Sequence, residues 1–192
     1  MIGLDFGFNN RVKDPWRKIN YRKNTKRSNT ASWNGLTNKE EFILEKTCLE
    51  KLNSNFRCLC KKKSNHFPKL ISASNGVLKL TNCGISLNKY KKYVKYNEID
   101  PIVIKNKEEQ INCILHNLEK NKVKHLDMVT NGKNLCVSKT GVLSLIDFNI
   151  ASINNEYTTD KIKNRLSLYG KENSKYNIFM KNRIMKTIKN TM

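Results

Sequence analysis

Apolar residues recur with the period of a helix in two segments of the chain, near residues 45 and 115. Near residue 115 they fall at i, i+3, i+4 and i+7, the spacing of one helical face. These residues are Ile111, Ile114, Leu115 and Leu118. We therefore predict helices over about 107–122 and, from a similar apolar pattern, over 39–52. Near the end of the sequence, two shorter helices are predicted over 161–168 and 176–188.

Short apolar runs bounded by polar or turn-forming residues predict strands between these helices. In the middle of the chain these runs are 66–71 and 76–80, and later 134–137 and 142–146. At the N-terminus, Ile2, Leu4, Phe6 and Phe8 alternate with other residues, which is typical of a half-buried strand. A second N-terminal strand is predicted to begin at Arg11. The pattern as a whole predicts an α+β protein.

The charge of the chain is strongly positive, with 37 Lys and Arg residues, 16 Asp and Glu residues and a net charge of +21. Lys and Arg bind polyanions by releasing counterions from phosphates, so segment 11–39, which is nearly free of acids, is a candidate basic arm. The alternative is the codon usage of an A/T-rich genome, which enriches Lys, Asn and Ile. We favour the alternative, because Arg and aromatic residues do not interleave as in a nucleic-acid groove.

Two carboxylates and one carboxamide lie at the ends of predicted strands in the last third of the chain. Asp127 lies in a polar loop, Asn134 opens an apolar run, and Asp147 follows the strand 142–146. Phosphoryl transfer from a nucleotide needs a carboxylate that orients the attacking hydroxyl. It also needs oxygen ligands that hold Mg²⁺ against the phosphates. The three side chains are candidates for these roles.

The motif His125-Leu126-Asp127, followed by Asn134 and Asp147-Phe148-Asn149, resembles the catalytic and metal-binding segments of the protein-kinase-like superfamily. In kinases the Asn follows the catalytic Asp by five residues, and the metal-binding Asp follows the Asn by thirteen. Here the second interval is also thirteen, whereas the first is seven, so the loop is two residues longer. Asn149 replaces the last Gly of D-F-G, and Asn is the non-Gly residue best able to reach the left-handed region.

Other segments between about residues 39 and 152 follow the order of kinase elements. The helix 39–52 resembles the regulatory helix, and His66-Phe67-Pro68 resembles the H-x-P motif that follows it. Two strands and a G-x-S-L step at 84–87 come next, as at the kinase hinge. The long helix 107–122 then leads into the catalytic loop.

The resemblance also implies a Glu–Lys pair that positions the α- and β-phosphates of ATP. Glu45 is the best candidate for the Glu, with Glu41 as its alternative. Lys13 is our candidate for the Lys, because it suits the end of a strand. Three further Lys residues remain alternatives, and they are Lys18, Lys23 and Lys26.

The chain departs from regulated kinases at several points. It has no glycine-rich phosphate loop and no A-P-E sequence, and Leu126 replaces the Arg that precedes the catalytic Asp. The resemblance is therefore closer to the compact lipopolysaccharide-kinase and RIO-like branches. We predict one minimal two-lobe kinase-like domain over 1–192. Its parts are a reduced N-lobe (1–81) with the basic arm, a truncated core C-lobe (82–160) and a basic helical tail (161–192).

The expected function is ATP- and Mg²⁺-dependent transfer of the γ-phosphoryl group to a hydroxyl of an unidentified acceptor. Asp127 would be the catalytic residue, Asn134 and Asp147 would bind the metal, and Glu45 and Lys13 would bind the nucleotide. His125 would brace the catalytic loop through hydrogen bonds. The alternatives are a pseudokinase that acts as a binding or scaffold protein, and a basic nucleic-acid-binding protein.

Six cysteines are scattered along the chain, several of them at apolar positions. Cys58 and Cys60 with His66 suggest zinc, but the spacing is not that of a zinc finger and a fourth ligand is missing. We therefore expect buried, reduced cysteines. Because the sequence contains neither a signal-peptide pattern nor an apolar run of membrane-spanning length, we expect a cytoplasmic protein.

Overall fold

The computed structural model describes residues 21–24, 36–60, 64–128, 132–156, 159–170 and 172–192. The predicted N-terminal strands and Lys13 lie outside these residues. Within them, five helices and eight short strands form a mixed α+β structure, which confirms the predicted fold class.

The helices and strands alternate along the described chain. The helices are α1 (Asn38–Ser54), α2 (Leu87–Lys95), α3 (Lys107–Lys120), α4 (Asp160–Tyr169) and α5 (Asn173–Thr191). The strands are β1 (Tyr21–Asn24), β2 (Leu70–Ser74), β3 (Val77–Leu80), β4 (Ile85–Ser86), β5 (Val123–His125), β6 (Leu135–Val137), β7 (Leu143–Leu145) and β8 (Ala151–Ile153). The four helices predicted from the sequence are confirmed, with ends that differ by a few residues.

The strands form small antiparallel sheets, with the orders β1-β3-β2, β4-β6-β7 and β5-β8. The β2–β3 hairpin turns at Asn75 and Gly76, which have φ angles of +49° and +70°. Asn and Gly are the residues that adopt such a turn most readily. In the second sheet, Leu135 of β6 lies opposite Leu145 of β7. This register brings the start of β6 next to the end of β7.

Helix α3 supplies much of the core with the apolar face that its sequence predicts. The residues Ile111, Ile114 and Leu118 of this face are fully buried, and Leu115 is buried to 6% exposure. The helix packs against β5, β7 and α5. It therefore lies beneath both strands that lead into the predicted site.

Helix α1 begins at a capping box, in which Thr37 and Glu40 exchange hydrogen bonds. The Thr37 backbone N–H donates to Glu40 Oε2 at 2.6 Å, and the Glu40 N–H donates to Thr37 Oγ1 at 3.3 Å. These bonds satisfy backbone groups that the first helical turn leaves without partners. Glu45, two turns of helix later than Thr37, is buried at 2% exposure.

The basic C-terminal segment is an integral part of the core. Helix α5 buries Tyr176, Met180, Ile184, Thr187 and Ile188. It packs against α2, α3 and α4, and its residues Lys175, Lys186 and Lys189 are exposed. Within the described part of the chain, no helix combines the length and the apolar character needed to cross a bilayer.

Tyr176 holds the end of β5 through its hydroxyl group. The backbone N–H of His125 donates to Tyr176 Oη at 2.7 Å, and this hydroxyl donates to the carbonyl oxygen of His125 at 3.3 Å. Both residues are buried. We therefore expect Tyr176→Phe to lower the free energy of unfolding by about 1–3 kcal/mol, because it leaves a buried N–H without its partner.

Urea unfolding at neutral pH measures this loss. Tyr96→Phe is the matched control, because Tyr96 is 66% exposed and should lose little stability. If both variants were as stable as the wild type, the Tyr176 hydroxyl would not hold the end of β5.

Candidate active site

Asn134 lies directly against Asp127 although seven residues separate them in the sequence. The Asn134 Nδ2 group donates to the backbone carbonyl oxygen of Asp127 at 2.7 Å and to its Oδ2 atom at 3.1 Å. Asn134 is 5% exposed. One buried carboxamide thus fixes both the backbone of the loop after β5 and its carboxylate.

Asp147 is placed beside Asn134 by the pairing of β6 with β7. The backbone N–H of Ile146 donates to the carbonyl oxygen of Asn134 at 3.0 Å, and Asp147 is the next residue. The side chain of Asp147 is partly exposed. The structure therefore brings Asp127, Asn134 and Asp147 to one end of the β6–β7 hairpin, which we name the carboxylate site.

His125 joins the two loops that carry the carboxylates. Its Nε2 atom donates to the carbonyl oxygen of Ile146 at 2.9 Å, and the Asp127 N–H donates to Nδ1 at 3.3 Å. These partners correspond to the neutral tautomer with hydrogen on Nε2. Burial lowers the pKa of His125, and this effect outweighs the opposite influence of Asp127 and Asp147. The imidazole thus braces the loops, the role expected from the sequence.

Phe148 anchors the segment after Asp147 in the core. Its ring makes edge contacts with His125 and Phe67, with centroid distances of 4.9 and 6.0 Å. Asn149 does not take the left-handed conformation, whereas Asp147, two residues earlier, does, with a φ of +66°. A short polar side chain tolerates this conformation, and the turn at Asp147 lets Phe148 point into the core.

Arg165 of α4 completes the surroundings of Asp127, and the sequence analysis missed it. Its Nη1 group donates to Asp127 Oδ1 at 2.8 Å and to the carbonyl oxygen of Leu126 at 2.7 Å. Arg165 lies 38 residues after Asp127, in a segment interpreted only as a basic tail. The sequence signal for this role was the choice of Arg over Lys in a Lys-rich chain. A guanidinium binds two acceptors at once better than an ammonium does.

The longer loop between Asp127 and Asn134 contacts the start of α2 through Gly132. The N–H of Asn88 donates to the Gly132 carbonyl oxygen at 3.3 Å. Gly132 has a φ of +75°, and an added Cβ atom would lie 2.8 Å from the Cβ atom of Leu87. A side chain does not fit there, so Gly132 lets the loop approach α2 closely.

Glu45, the candidate nucleotide-binding Glu, is buried on α1, which packs against β2, β3 and β8. Its neighbour Glu41 is buried to 9% exposure. Glu45 is therefore not an exposed acid on the helix surface. Lys13, the candidate phosphate-binding Lys, lies outside the described residues.

The carboxylate site has the groups that a divalent cation and a phosphate require. Because the Nδ2 group of Asn134 donates to Asp127, the Oδ1 atom of Asn134 is the end of the carboxamide that a cation would bind. Asp147 offers a partly exposed carboxylate at the same end of the hairpin, and Arg165 provides a guanidinium that can also attract anions. Mg²⁺ binds through one or two carboxylates together with phosphate oxygens, and this group of residues fits that need.

No protein-family model matches the chain, and no curated protein matches its sequence. The interpretation of the carboxylate site therefore depends on the geometry and chemistry of its residues.

We expect Asn134→Asp to lower the free energy of unfolding by about 1–3 kcal/mol at pH 7 without added divalent cations. The change replaces a buried donor with a second carboxylate against Asp127, so two hydrogen bonds are lost and like charges meet. Urea unfolding provides the measurement, and Asn190→Asp, at an exposed position, is the control. An unchanged stability in Asn134→Asp would show that Asn134 does not hold Asp127.

Proposed function

We propose that this protein is an ATP- and Mg²⁺-dependent phosphotransferase that moves the γ-phosphoryl group to a hydroxyl of its acceptor. The observation that supports this function is the bond from Asn134 to Asp127 beside Asp147. A carboxylate for the acceptor and oxygen ligands for the metal are the groups that phosphoryl transfer requires. Asp127, Asn134 and Asp147 offer such groups, and their sequence spacing resembles that of the protein-kinase-like superfamily.

In the proposed reaction, Asp127 accepts a hydrogen bond from the acceptor hydroxyl and orients its oxygen toward the γ-phosphorus. Asp147 and the Oδ1 atom of Asn134 would hold Mg²⁺, and the ion would supply positive charge to neutralise the phosphate oxygens. In-line transfer forms a bond from the acceptor oxygen to the γ-phosphorus and breaks the bond from the γ-phosphorus to the bridging oxygen. Asp127 takes the hydroxyl proton, and ADP leaves. Such catalysis is mainly positioning and electrostatic stabilisation, so rigid support of the two loops matters.

Asp127 keeps room for an acceptor despite its two partners. Arg165 bonds to its Oδ1 atom and Asn134 to its Oδ2 atom. Each carboxylate oxygen can accept a second hydrogen bond, and the carboxylate remains partly exposed, at 18%. Arg165 and Asn134 therefore fix the direction of the carboxylate without saturating it.

The burial of Glu45 supports its proposed role in a Glu–Lys pair. An ionised carboxylate at 2% exposure requires a cation or several hydrogen bonds. The phosphate-binding Lys is suited to that role, and we retain Lys13 as its first candidate.

A pseudokinase that binds nucleotide without transferring phosphate is the second candidate function. The observation that favours it is the Arg165–Asp127 ion pair at 2.8 Å, because an acceptor hydroxyl must share that carboxylate with a guanidinium. The two candidates agree on nucleotide binding and differ on turnover.

The binding of nucleotide is tested by Asp147→Asn. Mg²⁺-ATP should raise the melting temperature of the wild type. At a ligand concentration 100-fold above Kd, binding adds about 2.7 kcal/mol to the free energy of unfolding. The variant should lose most of this effect, because an amide is a poor ligand for a hard cation. Differential scanning fluorimetry with ATP, Mg²⁺ and both together measures it.

Asp100→Asn is the control for this experiment, because Asp100 is an exposed acid outside the carboxylate site. Equal stabilisation of the wild type and Asp147→Asn would remove Asp147 as the metal ligand. A wild type that does not respond to Mg²⁺-ATP would contradict both the kinase and the pseudokinase proposals.

Turnover is tested by Arg165→Met. If the protein is a phosphotransferase, ADP formation should fall roughly tenfold or more, about 1.4 kcal/mol of transition-state stabilisation, because Asp127 loses its orientation. The thermal shift with Mg²⁺-ATP should persist. Lys163→Met, which removes an exposed cation from the same helix, should leave both measurements unchanged. A wild type that binds Mg²⁺-ATP and forms no ADP would favour the pseudokinase.

A further inference from the structure

Three thiols and one imidazole meet where the segment between α1 and β2 crosses α3. The Sγ atoms of Cys58, Cys60 and Cys113 all lie within 4.8 Å of one another. The Cys58 and Cys60 sulfurs are 3.5 Å apart, and His66 Nε2 is 3.1 Å from the Cys60 sulfur. Cys113 is the fourth ligand, which the sequence pattern of Cys58, Cys60 and His66 lacks. It lies on α3, more than fifty residues after Cys60.

Asn117 holds the cysteine-bearing loop against α3. Its side chain accepts a hydrogen bond from the Arg57 N–H and donates one to the Arg57 carbonyl oxygen, both at 2.9 Å. Asn117 lies one helical turn after Cys113. This pair of hydrogen bonds therefore holds Cys58 and Cys60 next to the Cys113 sulfur. The Leu59 N–H in turn donates to Cys113 Sγ at 3.3 Å. The sulfurs are thus fixed by backbone and side-chain hydrogen bonds.

His66 presents a nitrogen to the Cys60 sulfur in the tautomer that a metal requires. Its Nδ1 atom lies 2.6 Å from the carbonyl oxygen of Leu143, which can only accept, so Nδ1 carries the hydrogen. The lone pair of Nε2 then points toward the Cys60 sulfur. A histidine that donates its other N–H to a carbonyl is the usual second-shell arrangement of a metal ligand.

We propose that Cys58, Cys60, Cys113 and His66 bind one Zn²⁺ ion in a tetrahedral site, which we name the Cys₃His site. Zn–S bonds of about 2.3 Å and Zn–N bonds near 2.0 Å place ligand sulfurs roughly 3.8 Å apart and sulfur and nitrogen roughly 3.5 Å apart. The Cys58–Cys60 and Cys60–His66 pairs, at 3.5 and 3.1 Å, require only shifts of a few tenths of an ångström. His66 does not belong to the group of ligand atoms that lie within 4.8 Å of one another, so its ring must also move toward the other sulfurs when the metal binds. Thiolate and imidazole ligands select zinc over the hard cations that the carboxylate site would take.

The Cys₃His site is a structural zinc site. Four protein ligands fill the tetrahedral shell and leave no position for a substrate. On binding, each thiol releases its proton to solvent, so three thiolates and Zn²⁺ leave one negative charge, which the N–H groups of Leu59 and Asn117 face. The metal would fasten the segment after α1 to α3 and, through His66, to β7.

The test uses the full chain, purified under reducing conditions without chelator and freed of loose metal by gel filtration. Metal analysis should give one zinc per chain in the wild type. Cys58→Ser should lose it, and because Cys58 is half-buried this change disturbs packing least. Cys83→Ser is the matched control, since Cys83 is also half-buried but lies outside the Cys₃His site, and it should retain the zinc.

Cobalt titration and melting curves provide independent measurements if a variant folds poorly. Co²⁺ added to the metal-free wild type should give the visible bands of tetrahedral cobalt and thiolate charge-transfer bands, and Zn²⁺ should abolish both. A zinc chelator should lower the melting temperature of the wild type and of Cys83→Ser, but not that of Cys58→Ser. Equal zinc in the wild type and Cys58→Ser, or an octahedral cobalt spectrum in the wild type, would overturn the proposal.

Discussion

Buried polar side chains satisfy the backbone of this protein where its very short strands cannot do so. Strands of two to five residues leave many N–H and C=O groups without a ladder partner, and each unpaired buried group destabilises the fold. Gln110, fully buried on α3, shows the solution. Its Nε2 atom donates to the carbonyl oxygens of Lys105 and Gly141, and its Oε1 atom accepts from the Leu143 N–H at 2.8 Å. One side chain thereby ties α3 to the β6–β7 hairpin.

The carboxylate site is built by the same means. His125 bridges the Asp127 N–H and the Ile146 carbonyl oxygen, Asn134 bridges the backbone and carboxylate of Asp127, and Tyr176 satisfies the end of β5. These bonds connect short segments that are far apart in sequence. The side chains that would touch a substrate are thus supported by buried groups, which is the arrangement that positioning a reacting hydroxyl demands.

The sequence predicts the parts of this structure that depend on local periodicity and fails where partners are distant. The face of α3 follows from Ile111 and its helical neighbours, and the meeting of Asp127, Asn134 and Asp147 follows from strand ends that resemble a known motif. Arg165 and Cys113 escaped prediction because their partners lie 38 and more than fifty residues away, with no period that links them. The left-handed turn at Asp147 also went unpredicted, because it goes with the packing of Phe148 in the core. The two-lobe arrangement and Lys13 remain predictions.

His66 connects the two proposed sites through β7. Its Nδ1 atom donates to the Leu143 carbonyl oxygen, and its own carbonyl oxygen accepts from the Leu145 N–H at 2.9 Å, so it brackets the strand from both ends. Asp147 follows that strand by two residues, and Ile146 between them bonds to Asn134. A metal that fixed the His66 ring would therefore also fix the strand that delivers Asp147 to the carboxylate site. Zinc in this protein would therefore support the proposed phosphotransfer by holding the strand that carries Asp147 in place. It would not touch the reacting atoms.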